Sequence, residues 1–446
     1  MKRSLILLSL LVLVLAAGIA NAGAKEITVQ FWHAMGGHNM EVVDSLVDQF
    51  NKTHAGIRVE AQMAGTYDDV LSKAQAAART KTAPHILQIY EIGTRVMIDS
   101  GIIIPVSDLG KKIAKDTGFD WNKWVKPVSS YYTIGGKLYS MPFNSSTPLL
   151  YYNKTFFKGA GLDPNKPPRT FEELKSYAEK LTVKDSSGTV TRYGMTLAVY
   201  GWFAEQMCYN QDALFVNQNN GRTGRPTKAL FNGPALVRFI DVWKEMVDRG
   251  ALLNTGAGST SPAQQAFMSG RAAMMFESTG QVNNFEAGLK KIGCELGSAY
   301  LPLPQGVKRG GVCIGGASLW ATKDHPAEEL KATWEFMKWL TETEQQVYWF
   351  ENTGYFPTTI SSMEAARKNQ FFSEHPNYAT AFQQLQIAKN DYATRGAVMG
   401  SFAAVRKSVE NAIEEALSGK KTTKQALDDA AAKVDKMLAE YNSLYQ

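Results

Sequence analysis

Three groups of side chains in this 446-residue sequence have the chemistry to hold a small polar molecule. Ser145 and Ser146, inside Pro142-Phe-Asn-Ser-Ser-Thr-Pro148, put two hydroxyls on a short polar segment bounded by prolines. Trp32-His33, Tyr67 and Tyr90-Glu91 each fall at the end of a strand or the start of a helix. Glu277-Ser278-Thr279-Gly280 follows a buried apolar run and offers backbone N–H groups at a helix start. Hydroxyls, N–H groups and two carboxylates bind and orient, and covalent chemistry needs more than that. The sequence has no G-x-x-x-x-G-K-[ST], G-x-S-x-G or H-E-x-x-H pattern, which argues against nucleotide hydrolysis and against the commonest hydrolase designs. His33 and His38 are five apart, the wrong spacing for two metal ligands on one helical face, so no metal or other cofactor is expected.

Elements that would position these groups can be read in order. Glu26–Trp32 alternates as a strand, and Val43, Leu46, Val47 and Phe50 recur at helical spacing from about Glu41. A strand at 57–61, a helix at 67–79 and a strand at 85–90 complete a β-α-β-α-β series. Such a series implies a largely parallel sheet wrapped by helices, with ligands beyond the carboxyl ends of the strands. Trp32-His33, Tyr67 and Tyr90-Glu91 therefore converge on one edge. Leu149–Tyr152 is a continuous apolar run, as a buried strand requires, and the polar half before it suits a hinge at the floor of a cleft.

Past that stretch a second α/β series begins. Thr170 with Glu173 forms a capping box, and Tyr200–Phe203 is rich in aromatics around Trp202. Leu236, Phe239, Ile240, Trp243 and Val247 share a helical face; 262–269 is a further helix and 272–276 a buried strand. Pro302, Pro304 and the glycines at 306, 310 and 311 form a linker into Gly315-Gly316-Ala317-Ser318-Leu319-Trp320. Thr353–Pro357 reads as a third extended crossing before a helical tail in which Val405, Val409, Ile413 and Leu417 align. Arg406 sits on that tail helix, where spacing alone suits a surface ion pair.

Lys2 and Arg3, the apolar run Leu5–Ala17 and Ala20-Asn21-Ala22 together predict a signal peptide over residues 1–24, hence export to the periplasm. Its removal takes the formal charge from +6 to +4, nearly neutral for this length and without the clustered basic residues that nucleic acid or membrane binding requires. Cys208, Cys294 and Cys313 permit one disulfide but make no framework, and at least one is expected to be a buried small apolar residue.

Phe31-Trp32-His33, Ile86–Glu91, Pro142–Pro148, Gly315–Trp320 and Thr353-Gly354-Tyr355 resemble segments of the extracellular solute-binding proteins of ABC importers, in the maltodextrin-binding group. The likeness is strongest to the branch that binds sn-glycerol 3-phosphate and glycerophosphodiesters. It implies an α/β protein of two lobes, each a mainly parallel sheet flanked by helices, joined by three hinge crossings. Residues 25–144 with 317–357 would form the first lobe, and 148–314 with 360–446 the second. By the same resemblance the ligand residues are Tyr67, Glu91, Ser146, Ser278, Gly316, Tyr355 and Arg406, with Trp202 packing on the ligand's carbon chain. Arg406 would hold the phosphate in bidentate fashion, and Glu91 would accept from glycerol hydroxyls. The implied role is a monomeric, non-enzymatic binding component that delivers a glycerol phosphoester to a membrane permease with separate ATPase subunits. A neutral oligosaccharide is the alternative ligand, and an exported glycerophosphodiester hydrolase the alternative activity.

Overall fold

The computed structural model describes residues 26–445; the signal peptide expected at 1–24 lies outside the described residues. The chain opens β1 (Ile27–His33), α1 (His38–Thr53), β2 (Ile57–Met63), α2 (Tyr67–Thr80), β3 (Ile86–Tyr90) and the short β4 (Ile103–Ile104). β1 pairs in parallel with both β2 and β3, as the alternating series predicts. α2 starts on a capping box in which Thr66 and Asp69 satisfy each other's backbone N–H groups.

The stretch around Ser146 then does what its composition suggested. β5 (Met141–Ser146) belongs to the first sheet, β6 (Pro148–Asn153) to a second, and Thr147 alone separates them. Both strands are buried along their whole length. The second series follows as α3 (Phe171–Leu181), β7 (Met195–Val199), α4 (Gly201–Asn210), α5 (Pro234–Asp248), β8 (Leu252–Ala257), α6 (Ser261–Met268), β9 (Met274–Ser278), α7 (Val282–Lys291) and β10 (Leu296–Ala299). The chain returns to the first sheet through β11 (Gly315–Thr322), continues as α8 (Ala327–Trp339) and α9 (Thr343–Thr353), and crosses back to end in α10 (Phe402–Leu417) and α11 (Thr423–Ser443).

The result is two α/β lobes joined by three crossings. The sheets are mixed, which refines the expectation of mainly parallel sheets. β11 runs antiparallel to β3, β4 and β5, and β6 runs antiparallel to β9 and β10. Strands that enter a sheet from a crossing come from the opposite end, so they cannot extend the right-handed parallel series. The third crossing lies against the first, with Phe356 N–H donating to the Ser145 carbonyl at 3.0 Å.

Two boundaries differ from the periodicity reading. Ser278 is the last residue of β9, not a loop residue, and a 3₁₀ turn (Thr279–Gln281) leads into α7. α4 was legible only as an aromatic-rich segment, because all ten of its residues are buried and no polar face marks a helical period. The three cysteines are free: Cys208 and Cys313 are buried and Cys294 is half-buried, so the permitted disulfide is not made. Among the described residues no helix is long and apolar enough to cross a membrane.

Aromatic clusters hold each lobe's helices to its sheet. In the first, Phe50 of α1 meets Phe336 and Trp339 of α8 edge-on, at 4.9 and 5.5 Å between ring centroids. In the second, Phe239 of α5 lies 5.7 Å from Trp243 on the same helix and 6.3 Å from Phe276 of β9. Trp243 is 1 % exposed. Trp243→Ala should cost about 3–5 kcal/mol through lost contacts and the cavity left behind, read as a lower urea midpoint by circular dichroism.

Candidate functional site

Of the motifs expected at one edge, Tyr67 and Tyr90-Glu91 face a cavity of about 160 Å³ between the lobes, whereas Trp32 and His33 do not line it. Tyr67, Tyr90 and Glu91 line it from the first lobe, Tyr200, Trp202, Glu277 and Ser278 from the second, and Ser146, Gly316 and Tyr355 from the crossings. Seven of the eight residues expected at the site thus share one cavity. Arg406 is the exception: it lies directly behind Glu91.

How the first-lobe hydroxyl is aimed can be followed bond by bond. Ala34 N–H donates to Gln88 Oε1 at 2.7 Å, and Gln88 Nε2 donates to Asn144 Oδ1 at 2.9 Å. Asn144 Nδ2 then donates to the Tyr67 hydroxyl oxygen at 2.7 Å. A backbone amide has one polarity, so the relay has one direction, and it ends with the Tyr67 O–H as a donor directed onward, with the Tyr355 hydroxyl as its neighbour. Neither Gln88 nor Asn144 was singled out from sequence. The available signal was an amide side chain inside each of two strands that are otherwise mostly apolar or small.

The other hydroxyls are held in comparable ways. Tyr355 stacks on Trp349 at 5.7 Å, and its ring fills the space a side chain at Gly280 would need. Burial pushes the Tyr67 and Tyr355 phenols up, so both remain neutral donors at physiological pH. Ser278 Oγ accepts from Gly280 N–H at 3.2 Å, which leaves its own proton free. Trp202 Nε1 is buried and has no hydrogen-bond partner among the described residues. Trp202 packs over Gly315, where a Cβ would fall 2.4 Å from its ring.

Gly316 must be glycine. Its φ is +88°, and a Cβ there would lie 1.9 Å from the Asn144 carbonyl oxygen. The close approach lets β11 pair with β5 at the crossing, with Gly315 opposite Ser146 and Gly316 opposite Ser145.

Arg406 and its partners behave differently from the bidentate phosphate clamp expected of it. Its Nε donates to Glu205 Oε1 at 2.5 Å, and its Nη2 donates to Glu91 Oε1 at 2.5 Å and to Glu205 Oε2 at 3.1 Å. Glu91 belongs to the first lobe and Glu205 to α4 of the second, so the guanidinium bridges the cleft. All three side chains are about 5–6 % exposed. Burial opposes the charged guanidinium, but the two carboxylates outweigh it and keep Arg406 protonated. The side chain cannot present its Nε–Nη2 edge to a phosphate while Glu205 occupies it. Glu91 likewise spends one oxygen on Arg406 while it lines the cavity. Glu205 is a residue the sequence reading missed; an acid inside the apolar run Gly201–Asn210 was the signal for it.

His85, His325 and Glu329 are the one grouping of potential metal ligands found among the described residues. The hydrogen bonds assign it another role. His85 Nδ1 accepts from Gln30 N–H at 3.0 Å, so its neutral ring carries the proton on Nε2 and donates it to Glu329 at 2.9 Å. Coordinating a metal at Nε2 would break the Gln30 bond.

The match to known proteins agrees with this geometry. The model of a family described as bacterial extracellular solute-binding protein matches residues 45–380. The chain belongs to this family. It is 35 % identical over 434 residues to the sn-glycerol-3-phosphate-binding periplasmic protein UgpB of Pectobacterium atrosepticum, covering 96 % of this chain and 95 % of that one. It is 34 % identical to UgpB of Escherichia coli K12 over 434 residues, 96 % of each chain. Among solved structures, UgpB from Mycobacterium tuberculosis in complex with glycerophosphocholine superposes with a TM-score of 0.77 at 19 % identity, over 94 % of this chain and 100 % of that one. A cyclic alpha-maltosyl-1,6-maltose binding protein from Arthrobacter globiformis gives 0.73 at 23 % identity, over 93 % and 99 %. At such identities the two structures establish the fold, which is the two-lobed one of solute-binding proteins.

In this solute-binding protein, Gly316→Ala should cost at least about 1–3 kcal/mol from the positive φ, with the clash at Asn144 adding to it. The expected result is a lower melting temperature in differential scanning calorimetry, and Gly293→Ala, also at positive φ but with open space around it, should lose less.

Proposed function

We propose that this protein captures sn-glycerol 3-phosphate or a glycerophosphodiester such as glycerophosphocholine in the cleft and presents it to the permease of an ABC importer. The observation that carries the reading is the one-way relay from Ala34 through Gln88 and Asn144, which makes Tyr67 a donor. With Tyr355, Ser146, Ser278 and Trp202 it forms a cluster of neutral donors drawn from both lobes and the crossings. Neutral donors in a dehydrated cleft suit phosphate oxygens, because hydrogen bonds to an ionised acceptor are the strong ones.

The phosphate then sits at these donors, and the glycerol hydroxyls reach the free oxygen of Glu91, which Arg406 holds in place. Trp202 and Tyr200 border the space beyond the phosphate and offer aromatic faces to a choline group. Ligand touching both lobes favours the closed form by its differential affinity for it. The segments 25–144 with 317–357 and 148–314 with 360–446 move as the two bodies. Relatives of this chain are binding proteins and not enzymes, and the reading assigns no covalent step. After removal of residues 1–24 the protein acts in the periplasm as a monomer, with ATP hydrolysed by separate subunits of the importer.

A neutral oligosaccharide is favoured less. An oligosaccharide is a larger guest than glycerol 3-phosphate, and the cavity measures only about 160 Å³.

Calorimetric titration should show binding of glycerophosphocholine or glycerol 3-phosphate and no heat with maltose; heat with maltose alone refutes the assignment. Tyr67→Phe and Tyr355→Phe should each weaken binding about tenfold or more, the value of one hydrogen bond to a charged group. Phosphorus NMR of the protein with glycerophosphocholine should show the diester unchanged after prolonged incubation.

A further inference from the structure

Two carboxylates around one buried cation are more than neutralisation requires. With Glu91 and Glu205 both ionised, the Arg406 group carries a net charge of −1 beside the donors assigned to the phosphate. Glu91 has a use in the cleft, since it lines the cavity. Glu205 does not line it. Its carboxylate lies along the Nε–Nη2 edge of Arg406, at 2.5 and 3.1 Å, and so fixes the plane in which Nη2 meets Glu91.

We propose that Glu205 is a positioning residue whose protonation is coupled to anion capture: it orients Arg406 towards Glu91, and it is neutral when an anionic ligand is bound. The inference rests on the phosphoester reading above. Neutral Glu205 leaves Arg406 and Glu91 as a balanced pair, whereas ionised Glu205 adds a negative charge within a low-dielectric cleft and opposes the guest. The longer contact, at Oε2, is the one a protonated oxygen gives up at least expense.

The surroundings of Glu205 favour this exchange. Arg406 and Glu410 face it from α10, Glu91 from the end of β3, Cys208 and Tyr209 from its own helix, Tyr131 from the helix Lys126–Tyr132, and Cys313 from the segment leading into β11. Glu410 is itself turned to the Gly201 N–H, at 3.0 Å. From α5, Arg238 donates to Gln211 just past the far end of α4, at 3.2 and 3.3 Å. Burial, against the pull of Arg406, pushes the Glu205 carboxyl up to about 7. The proton is therefore exchangeable in the neutral range. Below that value Glu205 is already neutral and binding is at full strength; above it, binding must recruit a proton.

Glycerophosphocholine is the suitable probe, because its phosphodiester does not titrate between pH 5.5 and 8.5. Wild-type Kd should be flat below pH 7 and rise above it towards tenfold per unit, the limit for one linked proton. Titration at pH 8 in HEPES and in Tris, neither of which carries a phosphate, should give enthalpies that differ by the proton taken up. Glu205→Gln should bind at pH 8 about as tightly as wild type at pH 6, with a flat profile and no buffer dependence. A wild-type profile that is flat while the diester binds overturns the proposal and leaves the function standing. A Glu205→Gln profile that follows wild type also overturns it. Absence of binding at every pH refutes the phosphoester reading and this inference with it. Should Glu205→Gln fail to fold, the buffer comparison is repeated on Glu277→Gln, since Glu277 also lines the cavity and burial raises its carboxyl: proton uptake that persists there supports the proposal, and uptake that disappears overturns it.

Discussion

A buried positive charge must be answered by negative charge from its own surroundings, and in this protein the answer comes from both sides of a cleft. Arg406, on α10, meets Glu205 of its own lobe and Glu91 of the opposite one. Breaking a buried pair of this kind costs about 3–5 kcal/mol, since the remaining charge is left without solvent or partner. The contact therefore does more than decorate the site: it ties the position of one lobe to that of the other. Opening the lobes would separate Glu91 from Arg406, while Glu205 would travel with it.

The remainder of the architecture serves that arrangement. Crossings made of small residues bring the two sheets within reach, with Thr147 alone between β5 and β6 and with Gly316 admitting the Asn144 carbonyl. Relay bonds from Ala34 to Tyr67 give a hydroxyl its direction, and the Trp349–Tyr355 stack gives another its place. The site sets neutral hydroxyl donors beside the Glu91–Arg406 pair, with Glu277 next to Ser278 engaged by Gln264 and the Ser278 N–H.

Much of this was legible in the sequence. The β-α-β-α-β order put Tyr67, Tyr90 and Glu91 at one edge, because the carboxyl ends of parallel strands face the same way. Pro142–Lys154 announced a crossing through its polar first half and apolar second half. The resemblance to solute-binding proteins supplied Gly316, Tyr355 and Arg406, which no local periodicity singles out, and gave ligand roles to Ser146 and Ser278. The helix α4 was harder, since a helix buried on all sides carries no amphipathic mark. Mixed strand direction was also beyond reach: a strand's apolar run says that it is buried, not which end it enters from.

What the sequence by itself determined was the class of fold, the location of the cleft and the kind of chemistry it performs, because hydrophobic period, turn residues and motif composition are local properties. Tertiary structure decided what Arg406 does. Its partners are 201 and 315 residues away along the chain, and a guanidinium pairs with whichever carboxylate packing brings within hydrogen-bond distance. The same holds for the direction of the Tyr67 hydroxyl and for the ionisation of Glu205, since orientation and desolvation arise only when distant segments close around a group.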